Sequence, residues 1–308
     1  MSDPQGRVLI TGANGHLGRR LIAKLAGRRP LRAVVRSERA ADQVRALPQA
    51  QQTEIVVLDY ADAEALTQAA RGCSHAIHLV GILKEDSTRR YAVAHEATTR
   101  ALAQAAEAQG LRRILYLSIL GSHPESANAC LASKGRAERI LLEAKTPALI
   151  LRVPMVLGEG DFASRALRAQ AKASIVPLLR GGRGREQPIY AGDVVEACAH
   201  GLSEPDLDDL ALDLAGPESL SRRALLERSA RLHGRRPRVL PLPFALNLAL
   251  AALLETLLRD PPLTRAMLGV LDHDDDIDPS EACARLRLEL TPLDEMLRRC
   301  VGPEADRS

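Results

Sequence analysis

Short apolar runs alternate with amphipathic stretches along the first half of the chain, and the alternation predicts strands and helices in succession. The strand candidates are Arg7–Thr11, Leu31–Val35, Glu54–Leu58, His75–Val80, Arg113–Ser118 and Ala148–Val153. Helices are expected near 16–27, 38–47, 62–71, 88–109 and 130–144, with Asp62 and Thr88 as N-caps and Gly27, Gly72 and Gly110 as stops. The runs VVL and AIHLV are continuous rather than alternating, as a parallel sheet covered on both faces requires. After Arg152-Val153-Pro154 the alternation weakens, and Pro and Gly become frequent through Pro188. That change suggests loops over the carboxyl edge of the sheet, where α/β folds bind ligands.

The stretch VLITGANGHLG (Val8–Gly18) sets the chemistry of this pattern. A buried strand runs into a tight turn carrying Gly12, Gly15 and Gly18, and a helix with Leu17, Leu21, Ile22 and Leu25 on one face follows. Glycines at this spacing let the backbone turn sharply, approach a diphosphate and pack the helix on its strand. Thr11, Gly12, Asn14 and Gly15, with the first-turn residues His16, Leu17 and Gly18, are therefore candidate dinucleotide contacts at a helix N-terminus. The fold expectation is α/β: a Rossmann-type doubly wound parallel sheet with a smaller C-terminal lobe. The nucleotide domain spans 1–154, with 188–203 returning to it, and 155–308 form the substrate or partner lobe.

The length of 308 residues suits such a two-lobed chain. A net charge of +3, two Phe, four Tyr and no Trp argue against nucleic-acid binding, which needs a basic surface and stacking platforms. Cys73, Cys130, Cys198, Cys283 and Cys300 are scattered without a CxxC pair, a pattern of isolated thiols rather than of a disulfide frame or a metal site. The N-terminal MSDPQGR has no apolar signal core, so a cytoplasmic location is expected. The apolar stretch Leu242–Leu258 is short for a membrane span and is interrupted by Asn247 and Glu255. It reads as a helix packed on the body of the protein, or as an apolar face that docks on a partner or a membrane surface.

With these motifs in view, the chain resembles the extended and atypical branches of the short-chain dehydrogenase/reductase superfamily over nearly its whole length. TGANGHLG (Thr11–Gly18) is similar to the family's glycine signature, and LDYAD (Leu58–Asp62) resembles the element whose Asp lies by the adenine. YLSILG (Tyr116–Gly121), ILRVPMVLGEGD (Ile150–Asp161) and QPIYAGDVVEA (Gln187–Ala197) resemble its serine strand, its RP…G segment and its late strand-to-helix element. HLVGI (His78–Ile82), VAHEATTRAL (Val93–Leu102), SKGRAE (Ser133–Glu138) and PPLTRAML (Pro261–Leu268) resemble the nucleotide-binding accessory subunit of respiratory complex I and its free-standing bacterial relatives.

The second strand ends in Arg36 and Ser37, with Arg39 close by, where an Asp or Glu would select a free ribose hydroxyl. A guanidinium and a hydroxyl there suit a 2′-phosphate, so NADP(H) is favoured over NAD(H); Glu38 beside them is the counter-argument. By resemblance Asp59 and Tyr60 lie at the adenine, while a turn role for Asp59 is nearly as good. Leu79, Val80 and Gly81 let a cofactor lie against the fourth strand. His75 and His78 read as packed strand side chains without partners of metal spacing. Asp193 reads as a helix cap, LLRGGRGREQ (Leu178–Gln187) as a flexible loop with Arg183 and Arg185 as anion contacts, and the acidic run Asp272–Asp278 as a solvated turn.

The family's catalytic set is a Ser with a Tyr four residues before a Lys, the phenol moving a proton and the Lys holding ribose and lowering the phenol pKa. By resemblance Ser118 and Lys134 stand in that set, but the Tyr is replaced by Cys130. Tyr60, Tyr91, Tyr116 and Tyr190 do not substitute for it by position, and His123 is the best replacement acid by type. The expectation is an NAD(P)H-binding protein without Tyr-dependent catalysis, structural or redox-responsive like the complex I accessory subunit. The alternative is an NAD(P)-dependent oxidoreductase or epimerase acting on a small or sugar-like substrate.

Overall fold

The computed structural model describes residues 6–86, 88–204, 206–258, 264–271 and 274–303. Two compact units emerge. The first comprises Met1–Arg152, Val194–Leu212 and Arg285–Arg287; the second comprises Val153–Asp193, Asp213–Ala284 and Leu288–Ser308.

The first unit alternates strand and helix: β1 (Arg7–Thr11), α1 (His16–Leu25), β2 (Leu31–Val35), α2 (Glu38–Arg45), β3 (Thr53–Val57), α3 (Ala63–Ala69) and β4 (Cys73–His78). A π-helical segment, Ala92–Ala97, leads into α4 (Thr98–Gln109), followed by β5 (Arg113–Ile119), α5 (Ala129–Leu142), β6 (Ala148–Val153), α6 (Ala191–Gly201) and β7 (Leu210–Asp213). The seven strands form one sheet in the order β7-β6-β5-β4-β1-β2-β3. β1 pairs in parallel with both β2 and β4, Ile10 lying opposite Ala33 and Ile77. The chain order reverses at β1, so the carboxyl ends of β1 and β4 border the crevice in which folds of this type bind ligands.

Burial explains the elements. β2 is buried along its whole length and β1 over four of its five residues, because helices cover both faces. β3 is only half-buried although it reads as an apolar run; it lies at the sheet edge with fewer neighbours. α4 packs between α3 and α5 through Ala101, Leu102, Ala105 and Ala106, whose small side chains let the helices approach closely. Asp62 caps α3 by accepting the Ala65 amide at 3.0 Å, and Gly27, Gly72 and Gly110 all hold positive φ.

Thr88 does not cap the fourth helix. The Asp86 carboxylate gathers the Thr88 amide (2.9 Å), the Thr88 hydroxyl (2.8 Å) and the Arg89 amide (2.9 Å) into a turn, and the helix begins only beyond it. The π-helical segment that follows shifts the phase of the helix by one residue, a local irregularity that side-chain periodicity does not encode.

The second unit is built on short ribbons: Val156–Leu157 with Ile189–Tyr190 in parallel, Arg185–Glu186 with Leu220–Ser221 antiparallel, and Ile175–Leu179 with Arg238–Leu242 in parallel. Leu167, Leu225, Leu293, Met296 and Leu297 form its core. The tract Leu178–Gln187 is thus part of a ribbon and a turn rather than an open loop, and the Arg185 guanidinium engages Ser219 and Asp276. Asp193 lies inside the first turn of α6 instead of capping it; its carboxylate accepts the Thr291 amide (2.8 Å) and hydroxyl (2.7 Å). Of the acidic run, Asp272 lies outside the described residues, whereas Asp274 accepts the Arg185 amide and Asp278 the Ser280 amide. Pro261 of the motif Pro261–Leu268 also lies outside them. The apolar stretch forms a helix, Phe244–Leu257, that buries Ala251 and exposes Leu248 and Leu253. Among the described residues no helix is long and apolar enough to cross a membrane.

Candidate functional site

The site begins where β1 meets α1. Gly12 adopts φ +74°, and a Cβ there would lie 3.2 Å from the Leu79 carbonyl carbon. At Gly18 a Cβ would approach the carbonyl oxygens of Gly12 and Ala13 to 2.6 Å, so only glycine lets the helix seat on the turn. Gly15 is the N-cap, with no side chain to accept a hydrogen bond and no acid in the first turn. The helical ladder starts with the Arg19 amide bonding the Gly15 carbonyl at 3.0 Å, so the Leu17 and Gly18 amides precede the first rung. A helix end with neither cap nor acid presents its N–H groups and positive dipole to an anion.

Tyr60 fixes this turn from below. Its buried hydroxyl accepts the Gly12 amide (3.2 Å) and donates to the Val34 carbonyl (3.2 Å). Burial pushes the phenol up to about 12, so it keeps the proton that the second bond requires. Asp59 is exposed, and its carboxylate accepts the Ala61 amide at 3.0 Å, a turn contact.

At the end of β2, Arg36, Ser37 and Arg39 are exposed. The Ser37 oxygen accepts the Ala40 amide (3.3 Å) as the N-cap of α2, which leaves its hydroxyl proton to donate elsewhere. Glu38 pairs with Arg45 at 3.1 Å, along its own helix.

Beyond β4 the backbone of Gly81–Leu83 is held by side chains from two helical segments. A Cβ at Gly81 would sit 3.1 Å from Lys134 Nζ and 3.6 Å from His95 Nε2. Lys134 is buried; its ammonium donates to the Leu117 carbonyl (2.9 Å) and lies 4.4 Å from the centre of the Tyr116 ring. Burial brings this ammonium down to about 8. His95 Nε2 lies 3.1 Å from both the amide and the carbonyl of Ile82, while its buried Nδ1 has no protein partner. Burial and the Lys134 charge keep His95 neutral, with a pKa of about 3. His78 is a packed strand residue, bonded to Thr11 Oγ1 at 2.6 Å and stacked on Tyr116.

The replaced position faces the same backbone. Cys130 Sγ is 3.6 Å from the Ile82 carbonyl, and burial pushes the thiol up to about 11. Tyr91 reaches this place from the start of the π-helical segment. Its hydroxyl donates to the Leu83 carbonyl (2.9 Å), interacts with the Cys130 thiol, and its ring stacks on His95. Ser118 is buried and donates its proton to Glu138, whose carboxylate also takes both Arg152 Nε (3.0 Å) and Nη2 (2.6 Å). His123 is exposed and accepts the Glu125 amide on its ring nitrogen.

The carboxyl ends of β1 and β4 therefore gather Thr11–Gly18, Leu79–Gly81, Cys130 and Lys134. Arg36 and Ser37 lie at the end of β2, and Asp59 and Tyr60 after β3. His95 and Glu138 escaped the sequence reading, and Tyr91, excluded there by position, does lie at Cys130. The four-residue steps 91–95 and 130–134–138, each placing side chains on one helical face, are the signal that marks them.

These features fit a dinucleotide: a turn that only glycine permits, a helix end left uncapped, a bare backbone at Gly81 beside an ammonium, and an unpartnered imidazole nitrogen. A family model described as NAD(P)H-binding matches residues 12–175, more than half of the chain. The chain belongs to this NAD(P)H-binding family, on a Rossmann-type sheet. It is 31% identical over 245 residues to ceramide reductase of Caulobacter vibrioides, covering 79% of this chain and 75% of that one. It is 27% identical over 253 residues to the mitochondrial NADH dehydrogenase [ubiquinone] 1 alpha subcomplex subunit 9 of Arabidopsis thaliana, covering 79% of this chain and 62% of that one. A nucleoside-diphosphate-sugar epimerase from Staphylococcus aureus shares the fold at a TM-score of 0.74 and 17% identity, over 95% of this chain and 99% of that one.

Desolvation of Lys134 has a measurable sign. In the folded state its pKa is about 8, against 10.5 for the free side chain. Between those values the unfolded chain binds the extra proton, so stability rises with pH across this window and the burial penalty persists below it. The free energy of urea unfolding, measured at pH 7.5 and at pH 10.5, should increase in the wild type relative to Lys134→Met by on the order of 3 kcal/mol. Equal pH dependence in the two proteins rules out a desolvated ammonium.

Proposed function

We propose that this chain holds NADP(H) as a structural or redox-responsive element, without the Tyr-dependent turnover of the wider superfamily. The observation that carries this reading is position 130. A proton-holding thiol tied to the Ile82 carbonyl stands where the phenol belongs, while Lys134 remains in place beside Gly81. Ser118 supports it, because a hydroxyl whose proton goes to Glu138 is not free to polarise a substrate carbonyl. The relationship to a complex I accessory subunit is consistent with a nucleotide held rather than turned over.

In this reading the turn Thr11–Gly18 takes the diphosphate, Asp59 and Tyr60 border the adenine, and Leu79–Gly81 with Lys134 take the nicotinamide ribose. Arg36 and Ser37 take a 2′-phosphate, which Glu38 opposes little because its carboxylate pairs with Arg45. NADP(H) should be released on denaturing the purified protein and identified by mass. In Arg36→Ala, NADPH affinity should fall about tenfold with NADH affinity within twofold, a loss of one charge-assisted contact. An unchanged NADPH-to-NADH ratio removes Arg36 from phosphate recognition.

One observation favours the second reading, an NAD(P)-dependent oxidoreductase. Tyr91 returns a phenol to the neighbourhood of Cys130, and a ceramide reductase is among the relatives. Reduced-nicotinamide absorbance, followed with a panel of carbonyl substrates, separates the two. A silent wild type and an active Cys130→Tyr support the first reading. A wild type that consumes NADPH and loses this at least tenfold in Tyr91→Phe supports the second.

The helix Phe244–Leu257 serves in either case as a peripheral membrane contact, since Leu248 and Leu253 on it and Leu258 just past its end are exposed. Sedimentation with phosphatidylglycerol vesicles should be lost when these three leucines are changed to Ser. Equal sedimentation by the two proteins removes this role.

A further inference from the structure

Cations and acids nearly balance over the whole chain, at 42 and 39, but not in the two segments that meet in the ribbon Ile175–Leu179/Arg238–Leu242 of the second unit. Between Asp161 and Glu186 lie six cations and no acid, and between Glu227 and Glu255 lie five arginines and no acid. Some of these charges are engaged within the unit: Arg168 on the Cys300 carbonyl, Arg185 on Asp276, and Arg228 on Glu218 and Asp294. Arg235, Arg236 and Arg238 are exposed, and none of the three makes an ion pair among the described residues.

The ribbon has an inner and an outer face, because residues opposite one another in paired strands point to the same side. Val176 and Leu178, with Val239, turn inward onto Leu226. The other side pairs Ile175 with Arg238 and Pro177 with Leu240. All four are exposed, Ile175 to 59% and Leu240 to 51%. Arg235 and Arg236 occupy the turn that leads into Arg238, a turn fixed by Gly234 at φ +63° and by the Arg235 amide on the Ala230 carbonyl (3.0 Å). Three guanidinium groups therefore lie at the amino end of the ribbon, Arg238 on its exposed face. At the other end only Pro243 separates Leu242 from the helix Phe244–Leu257. There the Arg180 guanidinium carbon, in the turn after Leu179, stands 4.8 Å from the centre of the Phe244 ring and ties the helix start to the ribbon.

We propose that the outer face of this ribbon is a headgroup-binding surface for an anionic phospholipid bilayer. The proposal rests on the membrane contact proposed for the helix Phe244–Leu257 and names the lipid that the same region selects. Three guanidinium groups beside exposed Ile175 and Leu240 match a surface that is negative at the headgroups and apolar just beneath them. The guanidinium forks hold headgroup phosphate oxygens, and the aliphatic side chains enter the acyl boundary. A nucleic acid offers the phosphates without the apolar layer, and the chain has no Trp and only two Phe to stack on bases. The arginines set the preference for charge, and the leucines of the helix supply depth.

The test sediments the full chain with two kinds of vesicle, phosphatidylcholine alone and an equimolar mixture with phosphatidylglycerol. At low ionic strength the partition coefficient should be on the order of a hundredfold higher for the anionic vesicles, from about fivefold per arginine, and the preference should fade as salt is raised. The variant Arg235→Gln/Arg236→Gln/Arg238→Gln, shown folded by an unchanged thermal midpoint in circular dichroism, should bind the two kinds alike. The inference is overturned if the wild type binds neutral and anionic vesicles equally, or if the glutamine variant keeps the preference; the helix reading survives both results. Sedimentation with neither kind of vesicle removes the helix reading and this one together. Polyglutamate bound as tightly as anionic vesicles reassigns the face to an acidic polypeptide and overturns the assignment to lipid.

Discussion

Everything near the nucleotide turn follows from a helix that begins without a cap. Gly15 offers no acceptor, the first turn carries no acid, and the ladder starts only at Arg19. Such an end is costly unless an anion completes it. Around it, Gly18 holds the helix against the turn, the Tyr60 hydroxyl accepts the Gly12 amide, and the Ala13 amide bonds the Val34 carbonyl of β2. The strand order places β4 beside β1, which brings Gly81 and Lys134 to the same edge.

A second constraint acts at the end of β4, around Lys134. Lys134 is an ammonium held by a carbonyl and an aromatic face in a buried setting, with no ion pair among the described residues. Burial, and after it the Lys134 charge, lowers both His78 and His95, so the two imidazoles next to it stay neutral through the physiological range. Neutral rings can accept and donate, and they do so on Thr11, Thr98 and Ile82.

Much of this was legible in the chain itself. The three glycines and the apolar runs of β1, β2 and β6 announce the sheet because a covered parallel strand has little freedom of composition. Asp62 and the helix stops at Gly27, Gly72 and Gly110 were equally plain, since caps and left-handed turns restrict residue type. What escaped has physical reasons. Thr88 lost the cap to Asp86, an Asx turn that competes locally with helix formation. Tyr91 stands at the start of the π-helical segment, an irregularity that side-chain periodicity does not encode. Asp193 reaches Thr291 across 98 positions, a contact that no local pattern contains. The acidic run looked merely solvated because its partners, Arg185 and Ser219, lie far away in sequence.

The way α5 is fastened has a consequence for how such chains diversify. Gly135 lets the backbone of His123 and Pro124 lie directly on the helix, and Glu138 ties it to Arg152 and Ser118. These anchors all sit one or two turns past residue 130. The side chain at position 130 is therefore not among these anchors, although it is itself buried and contacts the Ile82 carbonyl. A change of reactive group at position 130 thus has to be accommodated by the strand-end backbone it faces rather than by the contacts that seat α5.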